Sequence, residues 1–324
     1  MMLLQQENDL IDTSYHAHVH ALAGAHSAVH AGQPVLALHI GYHQDPGIRR
    51  KYKPNEDTLF VMHGVMPFAS SPSTPFVLLV VADGMGGQGH GRTASRLAVR
   101  SLVEYMSDSP CLQQRSPESL LSLLSAGVQY ANQVVYERNQ LQQTVMGTTM
   151  TAALVIETTA YVAHVGDSRL YLYREPTGLA QLTHDHSLVA VLVADGIIAP
   201  DDIYTHPRRN VIYRSLGVEA TMEVDTFTVP LAAGDTLLMC SDGLWEMVRD
   251  RPIAAILTAP MPAPSDTAHA LIQAALTGGG EDNVSVIVAQ VGEQKTEGGY
   301  SPRLKLGALK NADQKASAML FARQ

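Results

Sequence analysis

The residues best suited to chemistry in this chain are acids placed at the ends of short apolar runs. Asp83 follows Phe76–Ala82, and Asp242 follows Leu237–Ser241. Asp167 closes Val162–Val165 with one glycine between, and Glu281-Asp282-Asn283 opens the run to Val291. Asn55-Glu56-Asp57 precedes Thr58–Val61. One Asp beside Gly is an ordinary turn signal. The turn explanation does not account for every one of these acids abutting an apolar run. If the ends converge, the carboxylates crowd one pocket and cannot all stay ionised without cations. Oxygen-only donors point to Mg²⁺ or Mn²⁺, whereas zinc favours His or Cys. Two such ions about 3.5–4 Å apart activate water and clamp a phosphoryl group for in-line attack. Asp83 is the candidate bridge, because the glycines behind it permit close approach.

The same loop admits other readings. Gly84, Gly86 and Gly89 fit the G-x-G-x-x-G dinucleotide spacing. In such a site Asp83 would face a pyrophosphate. Each like-charge pair at about 4 Å costs roughly 4 kcal/mol at an effective dielectric near 20. The fingerprint also needs an acid on a second strand some 20 residues on. Here that region is still the helix ending in EYMSD. G-K-[ST] is missing after the glycines, so the loop is not a Walker A loop. A cysteine-dependent site needs C-x5-R, but Cys240 and Cys111 have Glu246 and Pro117 at that place. A G-x-S-x-G elbow is absent.

Runs rich in Val, Leu, Thr and Tyr must position these acids. Strands are expected at 35–43, 76–83, 151–158, 160–167, 169–175, 223–230, 235–242 and 283–291. The third and fourth are separated by almost nothing, which predicts an antiparallel hairpin. One helix carries Ala94, Leu97, Ala98, Leu102 and Tyr105 at three- and four-residue spacings. A second opens on Ser116-Pro117, a good N-cap with proline at the first helical position. A third covers about 265–277. Hairpins with paired helices predict an α+β protein.

The 324 residues and 46% hydrophobic content suit a soluble protein with one large or two smaller domains. A net charge of −9 argues against nucleic acid as partner. Two cysteines make no disulfide framework, which agrees with a cytoplasmic setting. No run is long enough for a membrane span, and no signal peptide is expected. Residues 1–34 carry His16, His18, His20, His26 and His30 without carboxylate or cysteine companions, and read as an extension. Residues 292–324 read as a polar tail.

In chain order the motifs are PNED (54–57), VADGMGG (81–87), MGTTMTAALV (146–155) and HVGDSRLYL (164–172). HPRRNVIYRSLG (206–217), LLMCSDGLWE (237–246) and GGGEDNVSVIV (278–288) follow. This ordered set resembles the metal-dependent protein phosphatase family (PPM, the type 2C serine/threonine phosphatases), most closely its bacterial-type members. The resemblance covers about residues 36–291. It implies a four-layer αββα sandwich, two antiparallel sheets flanked by helix pairs. It also implies hydrolysis of phosphoserine and phosphothreonine by in-line attack of a metal-bridging hydroxide.

By the same resemblance, Asp83 bridges two Mn²⁺ or Mg²⁺ ions and the Gly84 carbonyl binds one. Asp242 and Asp282 complete the first, while Glu56 and Asp57 serve the second. Asp167 matches the ligand of a weaker third ion, with Asn210 as its companion, and Asn283 orients Asp282. A flap is expected at about 187–213, with Asp195-Gly196 read as a helix end. Two positions depart from the family. Met85 stands where many eukaryotic members have a histidine, leaving His90 or a metal-bound water as the proton donor. Tyr52 stands where the phosphate-binding arginine is expected, leaving Arg50, or alternatively Arg49. The implied partners are phosphorylated proteins, with a protein kinase or its substrates among them, and the implied state is a monomer. Two alternatives are a catalytically inactive phosphoprotein-binding relative and a dinucleotide-binding oxidoreductase.

Overall fold

The computed structural model describes residues 36–66, 74–109 and 116–293. The N-terminal extension at 1–34, Cys111 and the tail beyond 293 lie outside the described residues. The strands are β1 (Leu36–Asp45), β2 (Thr58–Met66), β3 (Thr74–Ala82), β4 (Gly84–Met85), β5 (Gly147–Thr148) and β6 (Met150–Ile156). Then come β7 (Thr159–Val165), β8 (Arg169–Arg174), β9 (Gly178–Gln181), β10 (Asp225–Pro230), β11 (Thr236–Cys240) and β12 (Val284–Glu293). The helices are α1 (His90–Asp108), α2 (Pro117–Gln142), α3 (Leu188–Ala194), α4 (Asp242–Trp245), α5 (Asp250–Thr258) and α6 (Pro264–Thr277).

Two five-stranded antiparallel sheets form, one in the order β1-β12-β11-β8-β9 and the other β10-β7-β6-β3-β2. The hairpin expected at 151–167 is β6–β7, closing at the Ile156–Thr159 pair. Successive side chains on a strand face opposite ways, and both faces here are buried. On β3, Val77, Leu79 and Val81 join Leu170, Leu237, Met239, Ile287 and Ala289 of the other sheet in a central core. Leu78, Val80 and Ala82 instead pack with Ala94, Ala98 and Leu102 of α1 and Leu124 and Val128 of α2. The outer face of the other sheet uses Leu238, Cys240, Val286 and Val288 against Ile253 and Leu257 of α5 and Leu271 and Ile272 of α6. The result is the αββα layering that the resemblance implies.

Local signals behave as read. Ser116 caps α2, its side chain accepting the Ser119 N–H at 3.1 Å. Asp195 caps the C-terminal end of α3. Strand β12 runs to Glu293, two residues beyond the end expected for it. Strands β2, β4, β5 and β9 and helices α4 and α5 go beyond the elements expected from the sequence. Among the described residues no helix is long and apolar enough to cross a membrane.

Candidate functional site

Asp83 leaves β3 at the end of the sandwich, where the short β4–β5 ladder begins. In that ladder Gly84 pairs with Thr148 and Met85 with Gly147. The threonines of M-G-T-T-M-T fix the Asp83 backbone. The Thr148 hydroxyl and the Thr149 N–H each donate to its carbonyl at 2.8 Å, and its own N–H donates to Thr149 Oγ1 at 2.9 Å. Gly84 has no room for a side chain, because a Cβ there would lie 2.1 Å from the Gly91 carbonyl oxygen. Position 84 must be glycine for α1 to start where it does.

The first and last acidic corners are tied to each other. Asn283 Oδ1 accepts the Glu56 N–H at 2.8 Å, while its amide donates to the Pro46 carbonyl at 2.9 Å. The Asn283 side chain therefore holds Glu56, a contact additional to the expected one with Asp282. Asp282 Oδ1 is met by the Asn283 backbone N–H at 2.6 Å. Asp57 accepts from Ser241 Oγ at 2.8 Å, and that hydroxyl accepts the Ser285 N–H at 3.0 Å. The Arg50 guanidinium forms ion pairs with both Glu56 and Asp282.

The remaining corners share a buried scaffold. Asp242 is the first residue of α4, and Trp245 in the same turn donates its indole N–H to the Asp167 carbonyl at 2.9 Å. The Arg169 guanidinium lies 3.7 Å from the Trp245 ring centroid. It pairs with Asp185 at 2.6 Å and donates to the Tyr171 hydroxyl at 2.8 Å. On the Asp167 side, the Gly166 N–H donates to His186 Nδ1 at 2.9 Å.

The electrostatics are those of acids held together. Burial, then the fields of Asp57, Asp242, Asp282 and Asp167, pushes Asp83 well above the usual carboxylate range. Burial pushes Asp57 up to about 6, and burial with Asp185 nearby pushes Asp167 up to about 7. Burial, with Asp167 and Glu246 beside it, also drives Asp242 well up. Only compensating positive charge lets such a group ionise together.

Whether these residues suit divalent metal is answered by their oxygens. Asp57 Oδ1, Asp167 Oδ1 and Asp242 Oδ1 are buried with no hydrogen-bond partner among the described residues. Buried acceptors without partners are rare and costly. Three of them at one acid cluster, with no sulfur or imidazole donor, suit a hard cation. Among the described residues no three acidic, imidazole or thiol side chains close around a single point as metal ligands would. Mg²⁺-like ions keep several waters, so fewer than three direct side-chain donors per ion is compatible with binding. The donor set fits.

The sequence candidates divide clearly. Glu56, Asp57, Asp83, Gly84, Asp242, Asp282 and Asp167 fall at this end of the sandwich. Of the two arginines, Arg50 reaches the acids, whereas Arg49 is exposed and uses its backbone N–H on the Gly280 carbonyl at 3.0 Å. Tyr52 is 95% exposed. Asn210 is exposed, and among the described residues no hydrogen bond joins it to Asp167. His90 is the first residue of α1. The expected flap region holds α3 and a 3-10 turn at Pro200–Tyr204, and it is anchored by a Ser187–Ile212 bridge. Sequence reasoning missed Ser241, Thr148, Thr149, Arg169, Asp185 and Trp245. Of these, Thr148, Thr149, Ser241, Arg169 and Trp245 lie inside recognised motifs, so motif membership was the available signal.

Comparison with known proteins agrees with this geometry. Residues 48–277 match the family model described as Protein phosphatase 2C. The serine/threonine phosphatase stp of Listeria monocytogenes is 39% identical over 255 residues, 78% of this chain and 96% of that protein. The crystal structure of the Mycobacterium tuberculosis serine/threonine phosphatase PstP/Ppp superposes with a TM-score of 0.67 at 34% identity, covering 79% of this chain and 99% of that one. A PstP catalytic domain crystallised with two manganese ions gives a TM-score of 0.66 at 34% identity, covering 80% and 100%.

Proposed function

The chain belongs to the protein phosphatase 2C family, and we propose that its acid corner hydrolyses phosphoserine and phosphothreonine in protein substrates. The observation that carries this reading is the convergence of Asp57, Asp167 and Asp242 on Asp83, each of the three with a buried oxygen awaiting a partner. When bound, Mn²⁺ or Mg²⁺ supplies the Lewis acidity that lowers the pKa of a water and offsets phosphoryl charge. In this reading Asp83 would serve both core ions, Asp242 and Asp282 would hold one, Glu56 and Asp57 would hold the other, and the Gly84 carbonyl would bind one of them. The two manganese ions of the PstP catalytic domain support a core pair. Asp167 is our candidate for a weaker third ion, and exposed Asn210 is left out of the set.

Arg50 is the phosphate-binding residue in this reading. Its planar guanidinium already spans two carboxylates, and the same fork suits two phosphoryl oxygens. Thr148, Thr149 and Asn283 keep Asp83 and Glu56 in place while substrates exchange. We further assign the chain to the cytoplasm as a monomer, acting on a protein kinase or that kinase's substrates. The preserved acids weigh against an inactive phosphoprotein-binding relative, and Asp83 weighs against a dinucleotide.

The test is phosphate release from phosphoserine, phosphothreonine and phosphotyrosine peptides with Mn²⁺, then with chelator. Release from the first two, lost on chelation and weak for the third, is the expected pattern. Saturable phosphopeptide binding without turnover by folded protein would favour the non-catalytic reading.

A further inference from the structure

Arg50 enters the acid corner from a tight turn, and the rest of that turn faces solvent. The Lys53 N–H donates to the Arg50 carbonyl at 2.8 Å, which closes a turn over residues 50–53. At its base, Gly47 adopts φ 76°, and a Cβ there would lie 2.1 Å from the Asp282 carbonyl oxygen. The Arg49 N–H donates to Gly280 at 3.0 Å. The turn is therefore seated on the Asp282 corner by its own backbone.

Arg49, Lys51 and Lys53 are exposed, and none joins an ion pair among the described residues. Tyr52 stands between the lysines, 95% exposed, with the Lys51 ammonium 5.9 Å from its ring centroid. Residues 49–53 thus carry four cations in five positions of a chain whose net charge is −9. One cation is spent on the acids, and three are not.

Resting on the phosphatase reading, we propose that this turn docks acidic side chains flanking the phosphorylated residue of the substrate. Neighbouring Cα atoms lie about 3.8 Å apart, and the ends of a turn lie within about 7 Å. The Cα atoms of Arg49, Lys51 and Lys53 therefore lie within about one Debye length of the Arg50 Cα, and their long side chains extend into solvent beside the residue that holds the phosphoryl group. An extended peptide advances about 3.3 Å per residue, so acids one to three positions from the phosphoresidue come within reach. The turn selects for acidic segments, while Arg50 engages the phosphate common to all substrates.

The experiment uses the full chain with Mn²⁺ and a Lys51→Glu/Lys53→Glu double variant. Binding is read by fluorescence anisotropy with two peptides bearing a non-hydrolysable phosphonate analogue of phosphothreonine. One peptide has acidic flanks and the other neutral flanks. Hydrolysis of p-nitrophenyl phosphate is measured in parallel. The variant is expected to lose about tenfold or more in affinity for the acidic peptide and less than twofold for the neutral one. Its p-nitrophenyl phosphate turnover stays within twofold of the parent, and the acidic peptide's advantage fades at high salt. Equal losses for both peptides, or none for either, would overturn the proposal. No p-nitrophenyl phosphate turnover by the unaltered protein would sink the phosphatase reading instead, and the anisotropy comparison would still decide the role of the turn.

Discussion

Asn283 holds Glu56 in place across 227 residues of sequence, its Oδ1 accepting the Glu56 backbone N–H at 2.8 Å in a buried setting. Asn283→Ala leaves that N–H and the Pro46 carbonyl without their partner. Leaving a buried donor unsatisfied costs about 1–3 kcal/mol. The expected outcome is that loss in urea unfolding, with a weaker apparent Mn²⁺ affinity in turnover. A variant with normal stability and normal Mn²⁺ dependence would show that the bond positions nothing.

Stability against pH follows from the raised carboxylates. In the metal-free protein Asp57 is at about 6 and Asp167 at about 7, with Asp83 and Asp242 also raised. Their unfolded values are near 3.9. The folded state therefore binds more protons in this window, and its stability falls as pH rises through it. His164 opposes this trend. Burial, then His186, lowers it to about 4, so its cost on acidification starts only below its unfolded value near 6.5. Between pH 8 and about 6 the acids prevail. Metal-free protein should gain several degrees in Tm on going from pH 8 to pH 6. Mn²⁺ should raise Tm more at pH 8 than at pH 6, as scanning calorimetry would record.

The Arg169–Asp185 pair is buried behind the Asp167 corner. Removing one partner strands a charge in the interior, which costs about 3–5 kcal/mol. Asp185→Ala should be destabilised by that amount. The double variant Arg169→Met/Asp185→Leu should recover part of it, because neither charge is then left unpaired. Chemical denaturation of the three proteins checks the order.

Gly84→Ala tests the close approach of the bridging loop to α1. The new Cβ meets the Gly91 carbonyl at 2.1 Å and the Glu56 carbonyl at 2.6 Å, both backbone atoms that cannot rotate away. Backbone must shift at two acidic corners together. Loss of most Mn²⁺-dependent turnover, with far-UV circular dichroism largely kept, is the expected result.

Much of this arrangement was legible because each acid stands just before or just after a strand that announces itself. Val77–Val81 and Leu237–Cys240 are short apolar runs with no competing period, and Asp83 and Asp242 each follow after one small residue. The β6–β7 hairpin was legible because two residues cannot carry a chain across to a distant strand. Helix α5 was not, because only Ile253 and Leu257 mark its buried face, and packing against the sheet decides it. Strand β9 is four half-buried residues that need β8 to be a strand at all. The bond from Glu56 to the Asn283 side chain was not legible, because those two residues lie at opposite ends of the domain sequence. Arg50 was only half legible. Local spacing pointed at Tyr52, and a turn closed by Lys53 was needed to bring the arginine inward.

The most direct test of the central claim is Mn²⁺-dependent hydrolysis of a phosphothreonine peptide by the unaltered protein and by Asp83→Asn. The account predicts turnover that needs the metal and falls on the order of 10²-fold or more in the variant, with the fold retained. Turnover that ignores Mn²⁺, or an Asp83→Asn protein within a few-fold of the parent, would contradict it.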